Sequence, residues 1–428
     1  MKHDVSHLLN TFVIMLMIGL TYAWSVFVTP LETSYGWNRT QTSLVLTLLL
    51  ISYSVGNILT GILSRFTGYR IAAFIGSLLI CAGLAGAAFA GRFGWFAFCY
   101  GIVSGTGIGM LYHTTIAVTP PWYPGRQGTA TGLLVMGYAL SASVLGPLCQ
   151  FFLSRYSIRA TLLILAALEA AVLLFCSFQL EICPGTELSR GTDGEGQRTA
   201  DKGQEQCRQS IHEMVLSNTF FCYYGIGVLW YLIGTSVMNH GPVALQGDLS
   251  LSPASAALIL SAMNIVCGIM RPAIGVIHDR IGLFSTLFLG AVLFMAGCGG
   301  GCLALGIGST VLFIAALFFV MGGLACLGTI HSIGTRQLFG EINFSRIYPV
   351  MCTNSITASF GTVLVGGLQR ATGHYTLSFL VLAGFSVIPL LLILVLWKRS
   401  RKKEDRDTVS QGRDSFGYYR IESTPGGN

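Results

Sequence analysis

The strongest constraint on this chain is a succession of apolar runs, each close to the ~20 residues a helix needs to cross the hydrocarbon of a bilayer. Twelve can be counted, at 8–31, 44–64, 71–90, 95–117, 129–152, 159–180, 215–238, 254–278, 283–305, 309–333, 347–369 and 374–397. In a bilayer every backbone N–H and C=O must be satisfied internally, so a chain spans as helices or as a closed β-barrel. Barrel strands are short and alternate apolar with polar residues; these runs are long and continuously apolar. Only 10% of the residues are charged and mean hydropathy is +0.67, against about 25% charged residues in ordinary soluble domains. The expectation is an all-α integral membrane protein of twelve transmembrane helices. The first run has neither the n-region nor the cleavage site of a signal peptide, so it is read as a retained span.

Between spans six and seven the composition changes. The stretch CPGTELSRGTDGEGQRTADKGQEQCRQS is polar, rich in glycine and carries both charge signs. It is read as a flexible cytoplasmic linker over 183–212. The linker separates an N-terminal six-helix bundle, 1–182, from a C-terminal one, 213–398, and a basic cytoplasmic tail follows at 399–428. With the N-terminus inside, Lys2, Arg65, Arg70, Arg126, Arg280, Arg336, Arg346 and the tail fall on the inner side. Only Arg39, Arg92, Arg155, Arg159 and Arg370 fall outside. That bias places both termini in the cytoplasm of a multi-pass protein of the plasma (inner) membrane.

The net charge of +7 comes largely from Lys398, Arg399, Arg401, Lys402, Lys403 and Arg406. They form a topogenic signal suited to anionic membrane lipids, and nothing in so apolar a chain points to nucleic acid. The twelve cysteines are scattered singly, without CxxC pairs or Cys/His clusters. They read as small hydrophobes, and no metal or other cofactor is expected. No obligate protein partner is expected either.

The two halves resemble each other. GILSRFTGYR (61–70) follows span two and GVIHDRIGLF (275–284) follows span eight, each expected as a short loop with paired glycines, Gly61 and Gly68, then Gly275 and Gly282. GTGIGMLYH (105–113) in span four matches GLACLGTIH (323–331) in span ten, and Gly19 and Trp24 recur as Gly225 and Trp230. Such repeats surround a midplane site in many transporters.

The second loop, with Gly275, Asp279, Arg280 and Gly282, resembles the GxxxDRxG signature of the major facilitator superfamily; the first has Arg65 in the acid's place. GLTYAWSVFVTPLETSYGW (19–37), WYPGRQGTATG (122–132) and RPAIG (271–275) are similar to the oxalate/formate antiporter family and the related monocarboxylate transporters. The resemblance covers nearly the whole chain. It implies two pseudo-symmetric six-helix bundles and small carboxylate substrates, moved by antiport or with protons. It also implies a span-eight arginine paired with a span-eleven lysine. That lysine position falls on Asn354, and no span contains a lysine.

The residue that most demands a function is Arg271. It lies eight residues before Asp279, about 12 Å along a helix, and so near the bilayer centre. A charge there costs ~3 kcal/mol on insertion scales, and its fork of donors fits a carboxylate. It is expected to be open to water and substrate; the competing reading is a structural arginine satisfied by helix carbonyls or by an acid. Asn264 lies two turns away on the same face. Tyr22, Tyr112 and Tyr138 match the family's aromatic-lined cavity, and Trp24 and its echo Trp230 join them as substrate-binding candidates. Aromatics in spans are also ordinary packing or interface anchors. His113 and His331, at equivalent repeat positions, are candidates for carrying a proton or binding an anion, or for an interhelical bond. Glu169, the sole carboxyl deep in a span, is either a proton carrier or a neutral acid bonded to a neighbouring helix.

The reading that results is a secondary transporter of small organic anions by alternating access. Its substrates are expected to be monocarboxylates of the formate, lactate and pyruvate class, or oxalate-like acids. A proton-driven exporter of drugs or other solutes in the same fold, and a non-transporting solute sensor, are the alternatives. No nucleophile–base pair or metal cluster points to an enzyme.

Overall fold

The computed structural model describes residues 2–183 and 211–417, so nearly all of the expected linker and the last residues of the tail lie outside the described residues. Among the described residues, nine helices are long and apolar enough to cross a membrane. Two of these, Arg39–Ala88 and Pro253–Ile307, run to 50 and 55 residues. At 1.5 Å per residue each would far exceed a bilayer of about 30 Å. Each folds back at a single glycine, Gly68 (φ 80°, ψ 164°) and Gly282 (φ 80°, ψ 177°), in a backbone region essentially closed to residues with a Cβ. The loops expected at 61–70 and 275–284 are thereby corrected. The helices continue through them, and one residue makes each turn, giving spans two and three, and eight and nine.

Span eleven completes the twelve as two helices, Glu341–Cys352 and Asn354–Thr372, meeting at Thr353. Several helices begin on side-chain caps that satisfy orphan N–H groups. Asn38 and Gln41 form a capping box before span two, and Ser157, Ser217, Ser252 and Ser309 cap spans six, seven, eight and ten. Span one is Lys2–Ile18, a 3₁₀ turn Gly19–Ala23, and Trp24–Tyr35. Span four passes through a π-helical stretch, Ala97–Ser104, before the α-helix Gly105–Val118. Its Gly101, Gly105 and Gly109 lie against Val45, Leu49 and Tyr53 of span two, so close that a Cβ would press into that backbone.

The apolar interior falls into two clusters. One runs from Ile14 to Leu180 with Phe344, Tyr348 and Cys352 added; the other runs from Met214 to Leu396. Each half thus has its own core, and span eleven contributes to both. The end of the bundle holding Lys2, Gly68 and Gly282 is called the basic face below.

Candidate functional site

Arg271 points from span eight toward span five of the other half. It is only 7% exposed. Its Nη1 donates to the Val135 carbonyl at 2.5 Å, while Nε has no acceptor among the described residues. Thr329 Oγ1 donates to the Arg271 carbonyl at 3.1 Å, which seats span ten alongside. The expectation of a water-open guanidinium is corrected. Spans five and eight meet on glycines, with Gly132 against the Arg271–Pro272 backbone and Gly128 against Gly275, so the two helices pack closely beside the guanidinium. The cation is still under-satisfied, because a guanidinium carries five N–H donors and no acid pairs with it among the described residues. The phenols of Tyr22, Tyr112 and Tyr231 stand within electrostatic reach of it.

Tyr22 and Tyr112 belong to a series of edge-on rings. Tyr22 meets Tyr138 at 5.1 Å, Tyr138 meets Tyr112 at 5.3 Å and Tyr112 meets Tyr53 at 5.4 Å between centroids. Tyr22 is 45% exposed although it packs on Tyr138, while Tyr112 is buried. At the inner end a small cleft is lined by Tyr53, Tyr112, Tyr231, His331, Tyr348, Asn354 and Ser355, from both halves. Within it His331 Nε2 accepts a hydrogen bond from Asn354 Nδ2 at 2.9 Å. Tyr223 Oη donates to the Ile330 carbonyl at 2.9 Å and holds that turn of span ten in place.

The structure therefore gathers Arg271, Tyr22, Tyr112, Tyr138, His331 and Asn354 in one region between the two halves. Other candidates lie elsewhere. Trp24 stacks with Phe27, Phe96 and Tyr100 in the N-terminal core. Trp230 packs on Phe294 in the C-terminal core. Asn264 donates to Leu260 of its own helix at 3.1 Å. Glu169 is buried inside the N-terminal half, away from the cleft. His113 is fully buried between Tyr69, Phe344 and Tyr348, toward the basic face. Tyr348 also faces His331 at 5.8 Å, so the two repeat-related histidines flank one ring. Tyr53, Tyr231 and Tyr348 were not singled out in the sequence. Tyr231 adjoins Trp230, and one residue is about 100° around a helix, so the neighbouring aromatic faced the cleft instead.

At the basic face the halves are locked together. Asp279 reaches across to the start of the helix Gln127–Arg155, whose own N-cap residue, Arg126, supplies no side-chain bond. Oδ1 accepts Gly128 N at 2.8 Å; Oδ2 accepts Thr129 N at 2.8 Å and Thr129 Oγ1 at 2.6 Å. This is an N-cap supplied by the opposite half, and the carboxylate also meets the positive end of the helix dipole. Arg336, at the end of span ten, makes the converse lock. Its Nη2 donates to the carbonyls of Ile116 at 2.6 Å and Ala117 at 2.9 Å, at the negative end of span four. Nη1 pairs with Glu341, and the guanidinium lies 3.8 Å from the Phe344 ring centroid. Sequence reading counted Arg336 only toward orientation, although a basic residue in a helix's last turn is a usable signal. Gly61 abuts the Ser345 carbonyl and Pro349 of span eleven; Arg280 is exposed at the same end. Asp279→Asn removes the charge but keeps an acceptor. It is expected to favour opening of this face by about 1–2 kcal/mol, about 5–30-fold in population, read as a shift in spin-label distances between spans five and eight.

A family model described as Major Facilitator Superfamily matches residues 8–338. The chain is 23% identical over 419 residues to monocarboxylate transporter 2 of Homo sapiens, covering 91% of this chain and 86% of that one. It is 25% identical over 390 residues to monocarboxylate transporter 13 of Bos taurus, covering 86% and 83%. Among solved structures, the proton:xylose symporter XylE bound to 6-bromo-6-deoxy-D-glucose aligns with a TM-score of 0.73 at 15% identity, over 92% of this chain and 96% of that one. FucP in the outward conformation aligns at 0.70 with 14% identity, over 91% and 98%. With twelve helices in two related halves, and a family model matched across most of them, the chain belongs to the major facilitator superfamily.

Proposed function

We propose that this transporter carries small monocarboxylates, of the formate, lactate and pyruvate class, by alternating access. The observation that carries this reading is the pairing at Asn354. In the oxalate-type members that position is a second cation; here a buried amide donates to His331 Nε2. A ring nitrogen that accepts a hydrogen bond holds no proton, so His331 supplies no charge through that atom. Arg271, which lies against the cleft-lining Gly328, is then the one permanent cation beside the cleft among the described residues, matched to one carboxylate. The resemblance to the oxalate/formate antiporter family and the relatives' own naming as monocarboxylate transporters support the substrate class.

Binding and gating share an atom in this reading. The Arg271–Val135 bond joins the two halves at mid-membrane. A carboxylate entering past Tyr22 competes for the same donor, so loading weakens a cross-half contact and shifts the balance of states. Orientation with both termini cytoplasmic, and residence in the plasma membrane, belong to the same proposal and rest on the Lys/Arg bias.

Uptake of labelled acids into proteoliposomes is the test. Lactate or formate is expected to be taken up, and oxalate poorly. Asn354→Lys restores a second cation and is expected to raise oxalate over lactate preference by about ten- to a hundredfold, as charged hydrogen bonds contribute ~1.5–3 kcal/mol. Strong oxalate exchange by the wild type without monocarboxylate transport overturns the reading.

A further inference from the structure

Glu169 takes no part in the cleft, yet its surroundings are built. It lies mid-way along span six, 1% exposed, and its Oε2 has no hydrogen-bond partner among the described residues. A small void adjoins it, lined by Leu20, Thr21, Ile80, Tyr100 and Ser104. Ser104 Oγ at the same void reaches only the Ile80 carbonyl, at 3.4 Å. Two departures from α-helical geometry within the spans converge on this void. Thr21 belongs to the 3₁₀ turn of span one, and Tyr100 and Ser104 to the π-helical stretch of span four. Such irregular turns gather at functional sites.

A packed helical bundle gains nothing from a carboxyl placed this way. A buried polar group without a partner is destabilising, and a bare carboxylate in hydrocarbon far more so. The titratable groups facing Glu169 are Cys81 of span three, Tyr100 of span four and Cys149 of span five. Span one contributes only Thr21 and apolar side chains to the void. None of these is a cation, so the acid carries its proton whenever the void is dry. The same turn of span one reaches the anion site, because Tyr22, next to Thr21, packs on Tyr138 and stands within electrostatic reach of Arg271.

We propose that Glu169 is the proton-binding site of this transporter, linked to the anion site through the 3₁₀ turn of span one. A proton from water on one side of the membrane converts the carboxylate to the acid. The proton returns to water on the other side when the rearranged turn admits solvent to the void. The acid form suits the dry, closed void and the carboxylate a hydrated one, so protonation and the shape of span one are coupled. This rests on the transport reading above.

The test has one arm that needs no substrate. Infrared difference spectra of the purified protein, between acid and alkaline buffer, are expected to show a protonated-carboxyl C=O band that Glu169→Gln removes. A band that Glu169→Gln leaves in place overturns the proposal, as does its absence from the wild type. The second arm uses labelled lactate in proteoliposomes. Glu169→Gln is expected to lose accumulation driven by a proton gradient while keeping lactate exchange. Accumulation equal to wild type, or accumulation that follows sodium instead of protons, overturns it. Should Glu169→Gln lose exchange as well, Glu169→Asp decides: gradient-driven accumulation supports the site, and its loss overturns it. If the wild type moves no lactate, the substrate reading fails and the infrared arm alone judges Glu169.

Discussion

Arg271→Lys is expected to lower monocarboxylate affinity by about ten- to a hundredfold while leaving the empty protein folded. Lysine keeps the charge but replaces a planar fork by a point donor. A carboxylate held through two parallel bonds then loses one of them, and charged hydrogen bonds contribute ~1.5–3 kcal/mol each. The ammonium can still donate to a carbonyl as Arg271 does to Val135, so the cross-half contact has a substitute. A titration of purified protein with lactate, followed by thermal stabilisation, reads both effects. Affinity unchanged in the variant removes Arg271 from the site.

Gly275→Val is expected to abolish transport without unfolding either half. A Cβ at Gly275 would overlap the backbone carbonyl of Gly128 across the interface, and neither helix backbone can step aside locally. Overpacking of this kind costs ~1–3 kcal/mol where side chains can adjust, and more against backbone. The closed basic face therefore loses more than about a hundredfold in population. Both halves keep their own cores, so thermal unfolding should change little. Uptake falls by the same order, and spin labels across the basic face stay apart. Wild-type uptake in this variant would mean that the cycle never brings Gly128 and Gly275 together.

The fold was legible because hydrocarbon leaves a span few choices. Twelve runs of the right length and a repeated glycine–arginine signature were enough to place the helices in two halves. The turns were not legible. Gly68 and Gly282 read as members of loops, because nothing local distinguishes a glycine in a loop from one reversing a helix by itself. The site was half legible. Arg271 and Asn354 announce themselves as a charge and an amide among apolar neighbours, and His331 by its repeat position. Direction around a helix is harder. In TYAWS and LWYLIG Tyr22 packs on Tyr138 and Tyr231 lines the cleft, while the tryptophans face the cores. That choice is set by which neighbouring helix lies closer, which no residue pattern within one span encodes. Cross-half partners such as Val135 O and the Gly128 and Thr129 amides are backbone groups, and every residue has those.

The two locks at the basic face have opposite sign. Asp279 contributes a negative charge and Arg336 a positive one, both are carried by the same half, and each docks on a helix end of the other half. When that half swings, the pair travels together. The membrane voltage then does nearly equal and opposite work on the two. Glu341, paired with Arg336 in the same half, travels with them, so the swing carries the net charge of one carboxylate and works against the voltage by that single charge alone.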